Sequence, residues 1–296
     1  MPAKEESAVS GELLEIADAL LPGVRLDSAR LFRGGMHDVV LVPEVAAVRV
    51  SRRDSGTAAL PRRTEVLRMI ASSGLPFAVP EPLTPVTTFG ERAAVAVSWV
   101  GGTALPEGQG DPEKIAPLLR AIRECPVSPE LEALLHVPPT YPDGRHWGQV
   151  LIEEVIPRLP EQYRAERLRR VEEALAMPPV SAALVHGDLG GGNVHWDDNG
   201  DVVGVLDWDL ALVFDPAIDA ALMAWHGWEN VRGAVDEETY RRARTWDSTI
   251  GVGFLVSALY TRTLDKVDVF VEHIVRELQA REGGTKTQNG CPAGSA

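Results

Sequence analysis

A chain of 296 residues that is 45% apolar is long enough for one large domain or two ordinary ones, and it can fill a sizeable core. Its 27 glycines and 22 prolines fall short of a low-complexity composition, which excludes wholesale disorder. Acidic residues outnumber basic ones 43 to 29, and a formal net charge of -14 repels the phosphate backbone that dominates nucleic-acid affinity.

From the N-terminus, Ser10 is placed to cap a helix whose apolar face is Leu13, Leu14, Ala17, Leu20 and Leu21. Over 25–51 the period falls towards two, with turn signals at Gly34-Gly35 and Pro43-Glu44, which predicts short antiparallel strands. A helix is expected over 58–72. The segment LPFAVPEP is then extended, because each proline biases its predecessor away from helix. Two more strands fit 84–89 and 93–99, and Gly101-Gly102 makes a natural linker. No apolar run reaches the ~18 residues of a membrane span. The first residues, MPAKEESAVS, carry acids where a secretory signal needs a basic start. The expectation is a soluble, cytoplasmic monomer with no membrane or nucleic-acid partner. Cys125 and Cys291 stand far apart and outside any zinc-ligand spacing, so neither a disulfide framework nor a zinc site is implied.

Beyond Gln109 the pattern is helical, with Ile115, Leu118, Leu119 and Ile122 on one face and Leu168, Val171 and Leu175 on another. An apolar strand at 183–186 precedes two strands, 194–196 and 202–206, around Asp198-Asn199-Gly200, and Asn-Gly is the strongest short hairpin signal. Helices resume from Ala217 and end on a stripe of Val267, Phe270, Val271, Ile274 and Leu278; the polar, Gly-rich tail from 282 is expected to be unfolded.

The chemistry concentrates in LVHGDLGGGNVHWDDNGDVVGVLDWDLALVFDPAIDAA. Asp188 ends a strand and enters a Gly-rich loop, Asn193 starts the hairpin, and Asp207 ends the returning strand, so two carboxylates and an amide are expected on one edge. Phosphoryl transfer uses this set: a carboxylate to orient the attacking hydroxyl and accept its proton, and oxygen ligands for magnesium on the nucleotide phosphates. The same residues taken singly are ordinary turn formers. GxSxG, GxxxxGK[ST], HExxH and a strand-borne GxGxxG are all missing, which leaves a phosphotransferase without a P-loop.

HGDLGGGN followed by VLDWDLALVFDPAID resembles the aminoglycoside and macrolide phosphotransferases, and LPFAVPEP with AVRVSRR is similar to the macrolide branch. The resemblance spans about 31–278. It implies an α+β, protein-kinase-like fold of two lobes: a small antiparallel-sheet lobe over 1–100 and a larger, mainly helical lobe over 101–281. It further implies Asp188 as catalytic base with His186 as anchor of its loop, and Asn193 and Asp207 as magnesium ligands. Asp215 and Asp219 match the DPAID segment in a structural role. Arg49 stands where the family has a strand lysine, and its helix partner would be Glu65, although Arg63 fits an equally plausible alignment. Gly34, Gly35 and His37 fall where a phosphate-covering loop belongs, and Ser98 and Val100 where purine edges meet the backbone. The implied reaction moves the γ-phosphoryl group of GTP or ATP to the 2'-hydroxyl of a macrolide amino sugar. Asp209 would meet the sugar's amine, while Trp225 and Trp228, three apart on one expected helix face, would line an apolar pocket with Tyr260, although such a stripe alone more often marks a core. Alternative acceptors are aminoglycosides and small metabolites such as choline, homoserine or a sugar.

Overall fold

The computed structural model describes residues 6–7, 9–33, 37–52, 54–135, 145–249, 251 and 267–282. The chain divides into two compact units, the first comprising Met1–Ala104 and Val194–Asp209, the second Leu105–Asn193 and Leu210–Pro292. The hairpin following residue 193 belongs to the first unit, because its backbone bonds run to that unit.

The first unit is built on a six-stranded sheet of β1 (Glu6–Ser7), β2 (Arg30–Arg33), β3 (His37–Val42), β4 (Ala46–Ser51), β5 (Thr87–Phe89) and β6 (Arg92–Ser98), in the order β1-β2-β3-β4-β6-β5 with every pair antiparallel. Helix α1 (Gly11–Leu20) starts where Ser10 Oγ accepts the Leu13 N–H. Its buried Leu13, Ile16, Ala17 and Leu20 form one cluster with Leu31, Val40, Val48, Val50, Ala94 and Ala96 of the sheet. Val48 and Val50 point into that core, so the period of two turns the intervening Arg49 to the other side of β4. Helix α2 (Asp54–Ala71) packs against β4 and β6 and starts four residues earlier than the sequence suggests. Pro61 lies inside it, where the missing N–H forgoes one helical bond.

The hairpin of β8 (Val194–Trp196) and β9 (Val202–Val205) completes this unit. Thr103 and Trp196 exchange backbone bonds, and Ala78 donates to Val203 and accepts from Val205. The approach is close enough that a Cβ on Gly204 would meet Val100 Cγ1 at 2.2 Å, which is why only glycine fits.

In the second unit β7 (Ala183–Val185) pairs antiparallel with β10 (Leu212–Phe214). Around them lie α3 (Pro112–Glu124), α4 (Pro129–Leu134), α5 (Trp147–Val150), α6 (Glu161–Leu175), α7 (Ala217–Leu222), α8 (Trp228–Ala234) and α9 (Glu237–Ser248), with a last described helix at Val267–Glu282. Helix α3 follows its expected face, burying Ile115, Leu118 and Ile122. Helix α6 does not: it buries Tyr163, Val171 and Ala174, while Leu175 is exposed at its end beside Gly148. This α+β arrangement, a small antiparallel sheet and a mainly helical unit, is the fold that the sequence implied. Among the described residues no helix is long and apolar enough to cross a membrane.

Candidate active site

In the second unit, β7 delivers the chain into the loop His186–Asn193, and each of its constraints has a physical cause. Gly187 sits at φ +79, and a Cβ there would stand 2.4 Å from the Leu210 carbonyl, so a side chain is barred by conformation and by space. The N–H groups of His186 and Gly187 both donate to the Asp219 carboxylate, to Oδ2 at 2.7 Å and Oδ1 at 3.0 Å. Asp219 lies in the first turn of α7, and its main use is this bidentate hold on the loop. Burial pushes its carboxyl up to about 7, against the pull of the two backbone donors. His186 is fully buried and accepts the Asp188 N–H on Nδ1 at 3.1 Å, which puts its own proton on Nε2.

The loop then turns through Leu189, whose side chain is buried, and closes by Asn193 N–H to Gly190 C=O at 3.0 Å. Asn193 Nδ2 donates to both the backbone oxygen and the Oδ2 of Asp188, at 2.9 and 3.0 Å. The amide's nitrogen is thus spent on orienting the carboxylate. The ring of Trp225 packs over Gly191, about 3.5 Å from where a Cβ would be, and its indole N–H donates to the Leu105 carbonyl at 3.2 Å.

The first unit carries the other charged set. Asp207 follows β9 at φ +56, a conformation that costs an L-residue about 1 kcal/mol or more and that clusters at functional sites. Its Oδ1 is buried without a hydrogen-bond partner, 3.6 Å from Arg49 Nη2. Carboxylate and amide oxygens are donors of the kind that magnesium takes. No group of three or more His, Cys, Asp or Glu that could hold a metal ion occurs among the described residues.

Two expectations are corrected here. Arg49 does not pair with Glu65, which instead bonds Arg68 one helical turn along in a half-exposed position. Arg63 is the residue of α2 that turns inward, with a side chain only 4% exposed, so the helix offers β4 a second cation where an acid was sought. The acid is Asp209, whose Oδ2 accepts from Arg49 Nη2 at 2.7 Å and from Arg63 Nη1 at 3.1 Å. Asp209 is therefore buried and committed, and it is not the group that meets a substrate amine. Burial alone would raise its carboxyl; Arg49 and Arg63 overcome that and hold it well below the usual carboxylate range. His37 completes the cluster with Nδ1 3.3 Å from Arg49 Nη2. Burial, aided by Arg49, lowers it to about 4, so it is neutral at pH 7.

The remaining candidates are more dispersed. Ser98 exchanges two bonds with Glu81, N–H to its carbonyl and Oγ from its N–H, both at 2.8 Å. Val100 is buried against Gly204. Trp225 and Trp228 do not share one helix: Gly227, at φ +95, ends a 3₁₀ turn carrying Trp225, and Trp228 opens α8. Trp228 faces Tyr240 edge-on and lies under the Arg244 guanidinium at 4.3 Å. Gly34, Gly35 and Tyr260 lie outside the described residues. Sequence reasoning missed the loop-holding role of Asp219 and the pairing of Asp209 with Arg63. The inward arginine on α2, a charge of the wrong sign in a sheet-facing position, was the signal for the latter.

Residues 28–251 match the family described as "Phosphotransferase enzyme family". The chain belongs to that family. Viomycin phosphotransferase from Streptomyces vinaceus is 28% identical over 234 residues, which covers 75% of this chain and 81% of that protein. Among solved structures, the GDP complex of wild-type aminoglycoside 2'-phosphotransferase-IIIa is similar at TM-score 0.69 and 18% identity, over 92% of this chain and 100% of its own. Macrolide 2'-phosphotransferase type I follows at TM-score 0.65 and 22% identity, over 95% and 100%. These two likenesses establish the fold; the family match gives the chain its place among phosphotransferases.

Proposed function

We propose that this protein transfers the γ-phosphoryl group of a nucleoside triphosphate to a hydroxyl of an antibiotic, thereby conferring resistance. The observation that carries this reading is the fixed loop around Asp188: backbone held by Asp219 and His186, carboxylate oriented by Asn193, all within a family of phosphotransferases. In this reading Asp188 accepts the proton of the acceptor hydroxyl as it attacks, and Arg49 faces the nucleotide phosphates. Asn193 and Asp207 would hold magnesium, which supplies charge neutralisation at the transferring group.

For the acceptor, the apolar ring of Trp225 lying over the catalytic loop supports a macrolide, whose large lactone needs an apolar wall. GTP is the donor expected for that branch. The viomycin relative favours a second reading, a cationic antibiotic, which would need converging carboxylates instead. The test is steady-state phosphorylation of erythromycin, kanamycin and viomycin with GTP and with ATP. Turnover of erythromycin supports the macrolide reading. Turnover of kanamycin or viomycin alone replaces it, and no turnover of any of them removes the antibiotic.

A further inference from the structure

We infer that Asp209 is a positioning residue that sets Arg49 for the nucleotide phosphates, doing from the segment after β9 what an acid on α2 does not do here. The inference rests on the phosphotransferase reading given above. Arg49 projects from the face of β4 opposite the α1 core, and its guanidinium has to be held by an acceptor to point in one direction. The position on α2 that turns toward it carries Arg63, so strand and helix present two cations to each other. One oxygen, Asp209 Oδ2, takes a hydrogen bond from each, across 160 and 146 residues of sequence. All three side chains are buried, at 12% exposure or less.

The placement has a second consequence. Asp209 is separated from Asp207 by Trp208 alone, whose indole N–H is fixed on the Val205 carbonyl at 3.1 Å and whose side chain is buried. Anchoring Asp209 to the two arginines therefore pins a three-residue segment in which Asp207 keeps φ +56 and stands 3.6 Å from the same Arg49 Nη2. A single carboxylate thus aligns the phosphate-facing cation and the backbone that presents the metal-facing acid. The contribution is one of orientation, since Asp209 is spent on the arginines.

The experiment measures binding of fluorescent mant-GDP and mant-ADP to the full-length chain in magnesium, alongside melting temperature, for the parent and for Asp209→Asn, Arg49→Met, Arg63→Met/Asp209→Asn and Arg49→Met/Asp209→Asn. Loss of a charged hydrogen bond to Arg49 predicts dissociation constants raised about 10-fold or more in Asp209→Asn. Arg63→Met/Asp209→Asn carries one buried cation fewer, so it melts higher than Asp209→Asn, yet its affinity stays low because the Asp209 carboxylate that aims Arg49 is still gone. In the Arg49→Met background, adding Asp209→Asn changes affinity no further, which separates positioning from general stabilisation. The inference is overturned if Asp209→Asn binds as the parent does, if removing Arg63 restores affinity together with melting temperature, or if the Arg49 and Asp209 effects simply add. A parent chain that binds neither nucleotide overturns the phosphotransferase reading itself, and this inference with it.

Discussion

Asp215→Ala is expected to be among the most damaging single changes in the second unit, although Asp215 lies outside the loop His186–Asn193. Its Oδ2 accepts from Arg242 Nε at 3.0 Å, from Arg242 Nη2 at 2.5 Å and from Trp246 Nε1 at 2.7 Å, and its Oδ1 accepts the Ala217 N–H at the start of α7. Asp215 and Arg242 are each 7% exposed and Trp246 4%. Truncation leaves a buried guanidinium with the Pro178 carbonyl but without its counter-ion, at a cost of about 3–5 kcal/mol, and orphans an indole N–H for about 1–3 more. These terms overlap, so about 4–6 kcal/mol is the expected total, a large share of a stability of roughly 5–15 kcal/mol. Urea unfolding followed by tryptophan fluorescence reads this directly, because Trp246 packs at a tilt against Trp147 and Phe214, with ring centroids 5.5 Å away. Asp215→Asn/Arg242→Met, which carries neither charge, should recover most of the loss. A cost below about 1 kcal/mol for Asp215→Ala, or a double variant as unstable as the single one, would refute the reasoning.

Asp188→Ala should lower turnover by about 100-fold or more while leaving mant-nucleotide affinity near that of the parent; comparable turnover removes Asp188 as the base. Gly187→Ala should cost about 2 kcal/mol or more through its φ of +79 and the 2.4 Å approach to the Leu210 carbonyl, measured as a lowered melting temperature with the loop's activity lost in parallel. Asp219 has a folded pKa of about 7 against an ordinary 3.8, so the folded state holds the extra proton between those values and stability falls as pH rises from about 4 to 7. Asp219→Asn removes that slope, and it also replaces one acceptor of the two loop N–H groups by a donor. Denaturation at pH 4.5 and 7.5 should therefore show a smaller difference for the variant than for the parent, and an unchanged difference contradicts the assignment.

Much of this protein could be read from one dimension. The run from His186 to Asp219 packs turn glycines, an amide, several carboxylates and a helix start into some thirty residues, so the candidate site could be read from local spacing alone. Period two gave β3 and β4, and the turn residues Asn199-Gly200 gave the hairpin of β8 and β9, because register and turn type follow from neighbouring side chains. Charge pairing could not be read that way. Whether Glu65 or Arg63 faced β4 depended on the rotation of α2 against the sheet, a difference of two residues and about half a turn of helix. That Asp209 would serve the arginines rather than a substrate amine depended on where a segment 160 residues downstream of Arg49 docks. Likewise Trp225 and Trp228 lost their common face to Gly227, whose positive φ breaks the helix between them. Local hydrogen bonding and side-chain period are properties of the sequence, but a buried ion pair exists only between residues that the packing of distant segments brings within about 3 Å, and that was decided by the tertiary structure alone.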